Sequence, residues 1–231
     1  MHAKGEEIFT FYVPQFRTYP QTLMTQGFDV RNKFSAMLRS YAQKKQKMKL
    51  RDYQIDCIDT IEAQPPGAYL AQMATGLGKT VTFANLPRHG KRMLILSHRE
   101  ELVEQPRKYF DCSFGVERAA LRSYDEEVVS ASVQSLARRL HRFQPDEFGL
   151  IICDEAHHAA ANTYRKIFDH FTPDKLIGFT ATPNRGDKVR LDTVFSKIIF
   201  QRDLRWGIEH GYLCDIFCRR INIGYDLSQV H

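Results

Sequence analysis

Lys79 stands in the string Met73-Ala74-Thr75-Gly76-Leu77-Gly78-Lys79-Thr80, and 75 positions later Asp154-Glu155-Ala156-His157 closes the apolar run Leu150-Ile151-Ile152-Cys153. These residue types suit triphosphate chemistry. A bound triphosphate needs backbone N–H groups aimed at its oxygens, a cation, and a hydroxyl for Mg²⁺. Gly76 and Gly78 let the backbone curl close with no Cβ in the way. Lys79 reaches the β- and γ-phosphates, and Thr80 offers its hydroxyl to Mg²⁺. The general pattern wants a glycine five places before Gly78, where this chain has Met73. Asp154 is expected to hold Mg²⁺ through a water, because that ion keeps part of its hydration shell. Glu155 is expected to orient and deprotonate the attacking water. A solvated acidic pair capping a helix is the plain alternative for Asp154 and Glu155.

Such side chains must be carried by a rigid frame. Residues 68–73 read as a buried strand and 79–86 as a helix, so the loop between them has the strand–loop–helix context that phosphate binding requires. Residues 150–153 read as a buried parallel strand, whose C-terminal end is where open α/β sheets bind ligands. Further strands are expected at 92–97, 128–131 and 175–180, with helices at 99–110, 133–140, 163–171 and 204–210. This alternation predicts a parallel sheet covered by helices on both faces.

Several strings follow one another in the order of the superfamily 2 DEAD/H-box helicases, and from about Leu50 onward the chain resembles their N-terminal RecA-like lobe. Leu50-Arg51-Asp52-Tyr53-Gln54 resembles the adenine-reading segment; Leu96-Ser97-His98-Arg99-Glu100 resembles motif Ia; Asp154-Glu155-Ala156-His157 is similar to motif II in its DEAH form. Thr180-Ala181-Thr182-Pro183 with Arg185 resembles motif III. The resemblance implies ATP and Mg²⁺ as cofactors. Nucleotide would be held by Arg51, Gln54, Thr75, Gly76, Leu77, Gly78, Lys79 and Thr80, and metal by Thr80 and Asp154. Lys79, Asp154 and Glu155 would be catalytic, while His157, Thr180 and Thr182 would couple hydrolysis to bound nucleic acid, whose phosphates Arg99 would grip. Gln54 can make two hydrogen bonds to an adenine edge; the alternative is an exposed helix residue. Arg99 could be a solvated first-turn charge, and the two threonines part of a plain turn. The strings look closer to the DNA-directed branch of restriction motor subunits and repair helicases than to the RNA-directed branch. DNA is therefore the expected partner, with strand separation first and double-strand translocation second. A non-hydrolysing nucleic-acid sensor is the competing class. No guanine-reading Asn-Lys-x-Asp string accompanies the phosphate loop.

Charge is unevenly placed. The net charge of +6 comes from residues 31–51, which hold eight basic side chains and no acidic one; the remainder is slightly acidic. Within that stretch Phe34, Met37, Leu38 and Tyr41 recur at helical spacing, so a basic amphipathic helix is expected. It could offer lysines to phosphates or be a solvated connector. The expected organisation is an N-terminal extension over 1–49, an ATP-binding lobe over 50–215, and over 216–231 the start of a connection to a second RecA-like lobe. That second lobe would supply an arginine finger, for which no matching string is found. No run is long enough to span a membrane, and no signal-peptide core opens the chain. Five cysteines without a paired spacing suggest buried thiols in a reducing, cytoplasmic setting.

Overall fold

The computed structural model describes residues 49–182 and 191–216. The chain divides into two units, residues 1–49 and 50–231, and the description below concerns the second. The basic helix expected over 31–51, with its apolar face at Phe34, Met37, Leu38 and Tyr41, lies almost wholly outside the described residues. So do Pro183, Arg185 and the segment from 217 onward.

Among the described residues seven parallel strands form one sheet: β1 (Gly67–Met73), β2 (Arg92–Ser97), β3 (Phe114–Glu117), β4 (Val128–Ser132), β5 (Phe148–Asp154), β6 (Lys175–Thr180) and β7 (Lys197–Arg202). Their spatial order is β3-β4-β2-β5-β6-β1-β7. The helices are α1 (Asp52–Glu62), α2 (Lys79–Ala84), α3 (Val133–Ala137), α4 (Asn162–His170) and α5 (Leu204–Glu209). Strand alternation sends side chains to two separate cores. Met93 and Ile95 of β2 join Ile152, Ile177 and Phe179 on the face covered by Tyr53, Ile61 and Phe83. Leu94 and Leu96 join Val129, Ile151 and Cys153 on the face covered by Leu136, Tyr164 and Ile167. Each fully buried aliphatic side chain contributes about 1.5–3 kcal/mol, so the central strands form the rigid part of the molecule.

Three departures from the sequence expectations have local causes. The helix expected over 99–110 is instead two short 3₁₀ turns, Glu100–Leu102 and Gln105–Tyr109. Pro106 has no N–H for a helical bond and its ring clashes with the preceding turn. The helix expected over 133–140 stops at Ala137 and resumes as a 3₁₀ turn at Leu140–Arg142. Strand β3 was not foreseen, because its four residues carry no clear alternation. It is an edge strand, anchored by Glu117. That carboxylate is fully buried, pairs with Arg139 and with Arg142 (2.8 Å), and accepts the Ser123 N–H at 3.1 Å.

Candidate active site

Strand order brings the dispersed strings together. β6 lies between β1 and β5, with Gln72 of β1 level with Thr180 and Asp154 of β5 level with Phe179. The phosphate loop, the acidic pair and the threonine string therefore emerge side by side at the C-terminal edge of the sheet, where open α/β sheets bind ligands.

The loop leaves β1 at Met73, a buried strand residue without a positive φ, so the backbone does not require glycine there. Gly76 and Gly78 have φ of +90° and +80°, a backbone region that L side chains rarely adopt. Leu77 is buried, and its carbonyl accepts hydrogen bonds from the Tyr53 hydroxyl (2.9 Å) and the Gln54 amide (3.1 Å). Gln54 also accepts from the Arg51 N–H at 3.0 Å. Gln54 is thus a buried strut between α1 and the loop as well as a candidate base reader. A Cβ on Gly78 would lie 2.5 Å from its amide nitrogen. Tyr53, inside the Leu-Arg-x-Tyr-Gln string, has a loop-holding role that the sequence reading did not assign.

Lys79 opens α2 with Thr80 beside it in the first turn. Its Nζ lies 3.5 Å from the Met73 carbonyl and 3.9 Å from Glu155 Oε1. Thr75 and Gly76 are exposed. Asp154 ends β5, and its Oδ1 accepts the Glu155 N–H at 3.0 Å. Burial, with the Glu155 charge adding to it, pushes the Asp154 carboxyl up to about 6, against the opposing pull of Lys79 and that N–H. A hard carboxylate and a hydroxyl beside a phosphate cradle are suitable donors for Mg²⁺, which needs few protein ligands when phosphates supply others.

Glu155 adopts a left-handed backbone (φ 53°, ψ 52°). For a non-glycine residue this costs on the order of 1–3 kcal/mol and persists where surrounding structure imposes it. The turn swings Glu155 back toward Lys79 and places His157 Nδ1 3.3 Å from Glu155 Oε2 and 3.4 Å from Thr180 Oγ1. Thr180 Oγ1 accepts the Thr182 N–H at 3.2 Å. The expected coupling residues therefore form a contact chain from the acidic pair to the end of β6.

His157 and His158 belong to a 3₁₀ turn, Ala156–His158, and their rings lie 4.1 Å apart. Adjacent residues of an α-helix do not face each other, whereas on this turn the two rings meet. No group of metal-ligating side chains occurs among the described residues. His158 stacks on His98 at 4.1 Å. Arg99 is exposed and precedes a three-residue turn, so the long helix N-terminus expected to assist it is not present. It lines a cleft of about 290 Å³ with Ser97, His98, Asp154, Glu155 and His157.

Over residues 47–185 the chain matches the family model described as type III restriction enzyme, res subunit. The chain belongs to this family. Across 208 residues it is 39% identical to the putative ATP-dependent helicase IRC3 of Saccharomyces cerevisiae, covering 78% of this chain and 30% of that protein. A type I restriction enzyme EcoAI endonuclease subunit from Escherichia coli is 32% identical over 200 residues, covering 77% of this chain and 25% of that one. The chain thus spans under a third of the length of both curated relatives. Among solved structures, a fragment of a putative HsdR subunit from Vibrio vulnificus aligns with a TM-score of 0.53 at 29% identity, covering 70% of this chain and 32% of that one. The UvsW helicase of bacteriophage T4 shares the fold at a TM-score of 0.56 and 17% identity, covering 74% and 67%. The chain carries a RecA-like, helicase-type ATPase motor lobe of the restriction-subunit and repair-helicase kind.

The raised Asp154 carboxyl has a measurable consequence. In the ligand-free fold it binds its proton more tightly than the unfolded chain does, so stability falls as pH rises from about 4 through 6. Asp154→Asn removes this dependence. In urea melts its advantage over wild type should grow across that window, to as much as about 3 kcal/mol above pH 7. A difference that stays constant from pH 4 to 8 would contradict the buried-carboxyl account.

Proposed function

We propose that this lobe binds Mg²⁺–ATP at the edge formed by β1, β5 and β6, and that hydrolysis there drives movement on DNA together with a second RecA-like lobe. The observation that carries the reading is the meeting of Lys79 with Glu155 at 3.9 Å, although the two lie 76 residues apart in sequence. In a bound complex Lys79 exchanges Glu155 for the β- and γ-phosphates. Thr80 and Asp154 would hold Mg²⁺, which when bound would supply positive charge against the charge that develops on the phosphate. Freed of its lysine, Glu155 orients a water and takes its proton. Arg51 and Gln54 take the base. His157, Thr180 and Thr182 carry the state of the γ-phosphate toward nucleic acid at Arg99.

DNA is favoured over RNA by the resemblance of the strings and by relatives such as a Halobacterium salinarum protein named a putative DNA 3'-5' helicase, 31% identical over 152 residues. Double-strand translocation is the second reading, kept because the strings resemble those of restriction motor subunits. Residues 50–215 form the motor lobe in this reading, with 1–49 as an extension and 216–231 as the start of the connection. No helix among the described residues is long and apolar enough to cross a membrane. The described cysteines are free thiols, which suits a reducing compartment such as the cytoplasm.

Calorimetric titration of Mg²⁺–ATP into wild type and Lys79→Ala tests the reading. Wild type should give binding heat and the variant little or none. Equal heats from both would overturn the assignment of the phosphate site.

A further inference from the structure

The only tryptophan of the chain, Trp206, lies in α5 beside a turn that crosses the phosphate loop. Gly211 ends α5 at φ +69°, and the N–H groups of Tyr212 and Leu213 both return to the Gly207 carbonyl, at 2.9 and 3.0 Å. This is a helix ending that a positive-φ glycine permits. The turn seats Leu213 between two glycines. A Cβ on Gly76 would lie 2.8 Å from Leu213 Cδ2, and one on Gly207 would lie 2.6 Å from Leu213 Cδ1. Leu213 is thereby wedged against the phosphate loop, and it brings Tyr212 to the start of α1.

There the Tyr212 ring meets Tyr53 edge-on at 4.7 Å and stacks on Trp206 at 5.5 Å. The Arg51 guanidinium lies over it, 5.4 Å from the ring centroid. Arg51 also donates to the Tyr53 hydroxyl at 3.1 Å, and that hydroxyl reaches the loop at Leu77. Tyr212 is half-buried, so its ring is held by neighbours yet open to solvent in part. A held aromatic ring and a planar cation are the two surfaces on which nucleobases stack. Here both stand within one contact of the phosphate loop.

We propose that Tyr212 is the stacking platform for the base of the bound nucleotide, the base taking the place over the ring that the Arg51 guanidinium fills in the ligand-free fold, and the displaced guanidinium covering the base's other face. This rests on the nucleotide reading of the site and extends it to a segment outside every recognised string. Stacking accepts any base, because every base has a π-face. Tyr212 therefore supplies affinity for the base, while Gln54 is left to choose its identity.

The test compares Mg²⁺–ATP with Mg²⁺–tripolyphosphate, which has the phosphates and no base. Residues 1–231 are titrated as wild type, Tyr212→Ala, Tyr212→Phe and Lys79→Ala. Tyr212→Ala should lose roughly 5- to 150-fold in ATP affinity, the range of one base–aromatic stack, and nothing for tripolyphosphate. Tyr212→Phe should bind both ligands as wild type does. Trp206 fluorescence should change with ATP and not with tripolyphosphate. Unchanged ATP affinity in Tyr212→Ala overturns the proposal, as does an equal loss for both ligands, which would make Tyr212 a support for the loop. Wild-type binding of both ligands by Lys79→Ala would instead overturn the nucleotide reading, and this inference with it.

Discussion

Residues 1–231 taken alone should turn ATP over about 10³–10⁵-fold more slowly than the same lobe joined to a second lobe carrying an arginine finger. Lys79 at the start of α2 and Asp154 and Glu155 at the end of β5 all stand on one wall. Lys79 can neutralise one side of the transferring phosphoryl group. Charge also develops on the oxygens that face away from this wall, and a cation there is worth about 4–7 kcal/mol of barrier. The cations placed at this rim, Lys79 and Arg99, belong to the lobe's own side. Steady-state phosphate release, with and without DNA, measures the deficit. Several turnovers per second from residues 1–231 would show that the lobe completes its own site.

Glu155→Gln should lower turnover in the two-lobe protein by about 10²–10⁴-fold, the usual contribution of a positioned general base. Nucleotide affinity should stay within a few-fold or improve. The reason lies in the ligand-free geometry: Glu155 occupies Lys79 at 3.9 Å and adds to the unfavourable charge beside Asp154. A glutamine keeps the shape and removes both effects. Single-turnover hydrolysis together with a binding titration separates the outcomes. A fall in affinity as large as the fall in rate would make Glu155 a binding residue and not a base.

How far the site was legible in sequence depends on what each residue must do. Gly76, Gly78, Lys79 and Thr80 were readable because a phosphate cradle needs those types within a few residues of chain, a local requirement. Asp154 and Glu155 were readable because they close a buried strand in a chain that also carries the phosphate-loop string; alone, an acidic pair serves as readily to cap a helix. The contact chain from His157 to Thr180 could be inferred only through the helicase resemblance, since the two lie 23 residues apart in sequence. The 3₁₀ turns after β2 were missed because the single proline at 106 overrides an otherwise helical pattern. Tyr212 and Leu213 were missed because nothing in a Gly-Tyr-Leu turn announces which surface it will lie against.

The sequence by itself determined the fold class and singled out the strings proposed to hold phosphate and Mg²⁺, because period, burial and loop chemistry are properties of short segments. Tertiary structure alone decided that β6 stands between β1 and β5, which sets Thr180 beside both halves of the site. It also decided that Glu155 turns left-handed to face Lys79, and that Leu213 packs on the loop with Tyr212 next to Arg51. Those are long-range packing outcomes. Strand order depends on which buried faces match across the whole sheet, and a strained backbone such as that of Glu155 is held by its surroundings.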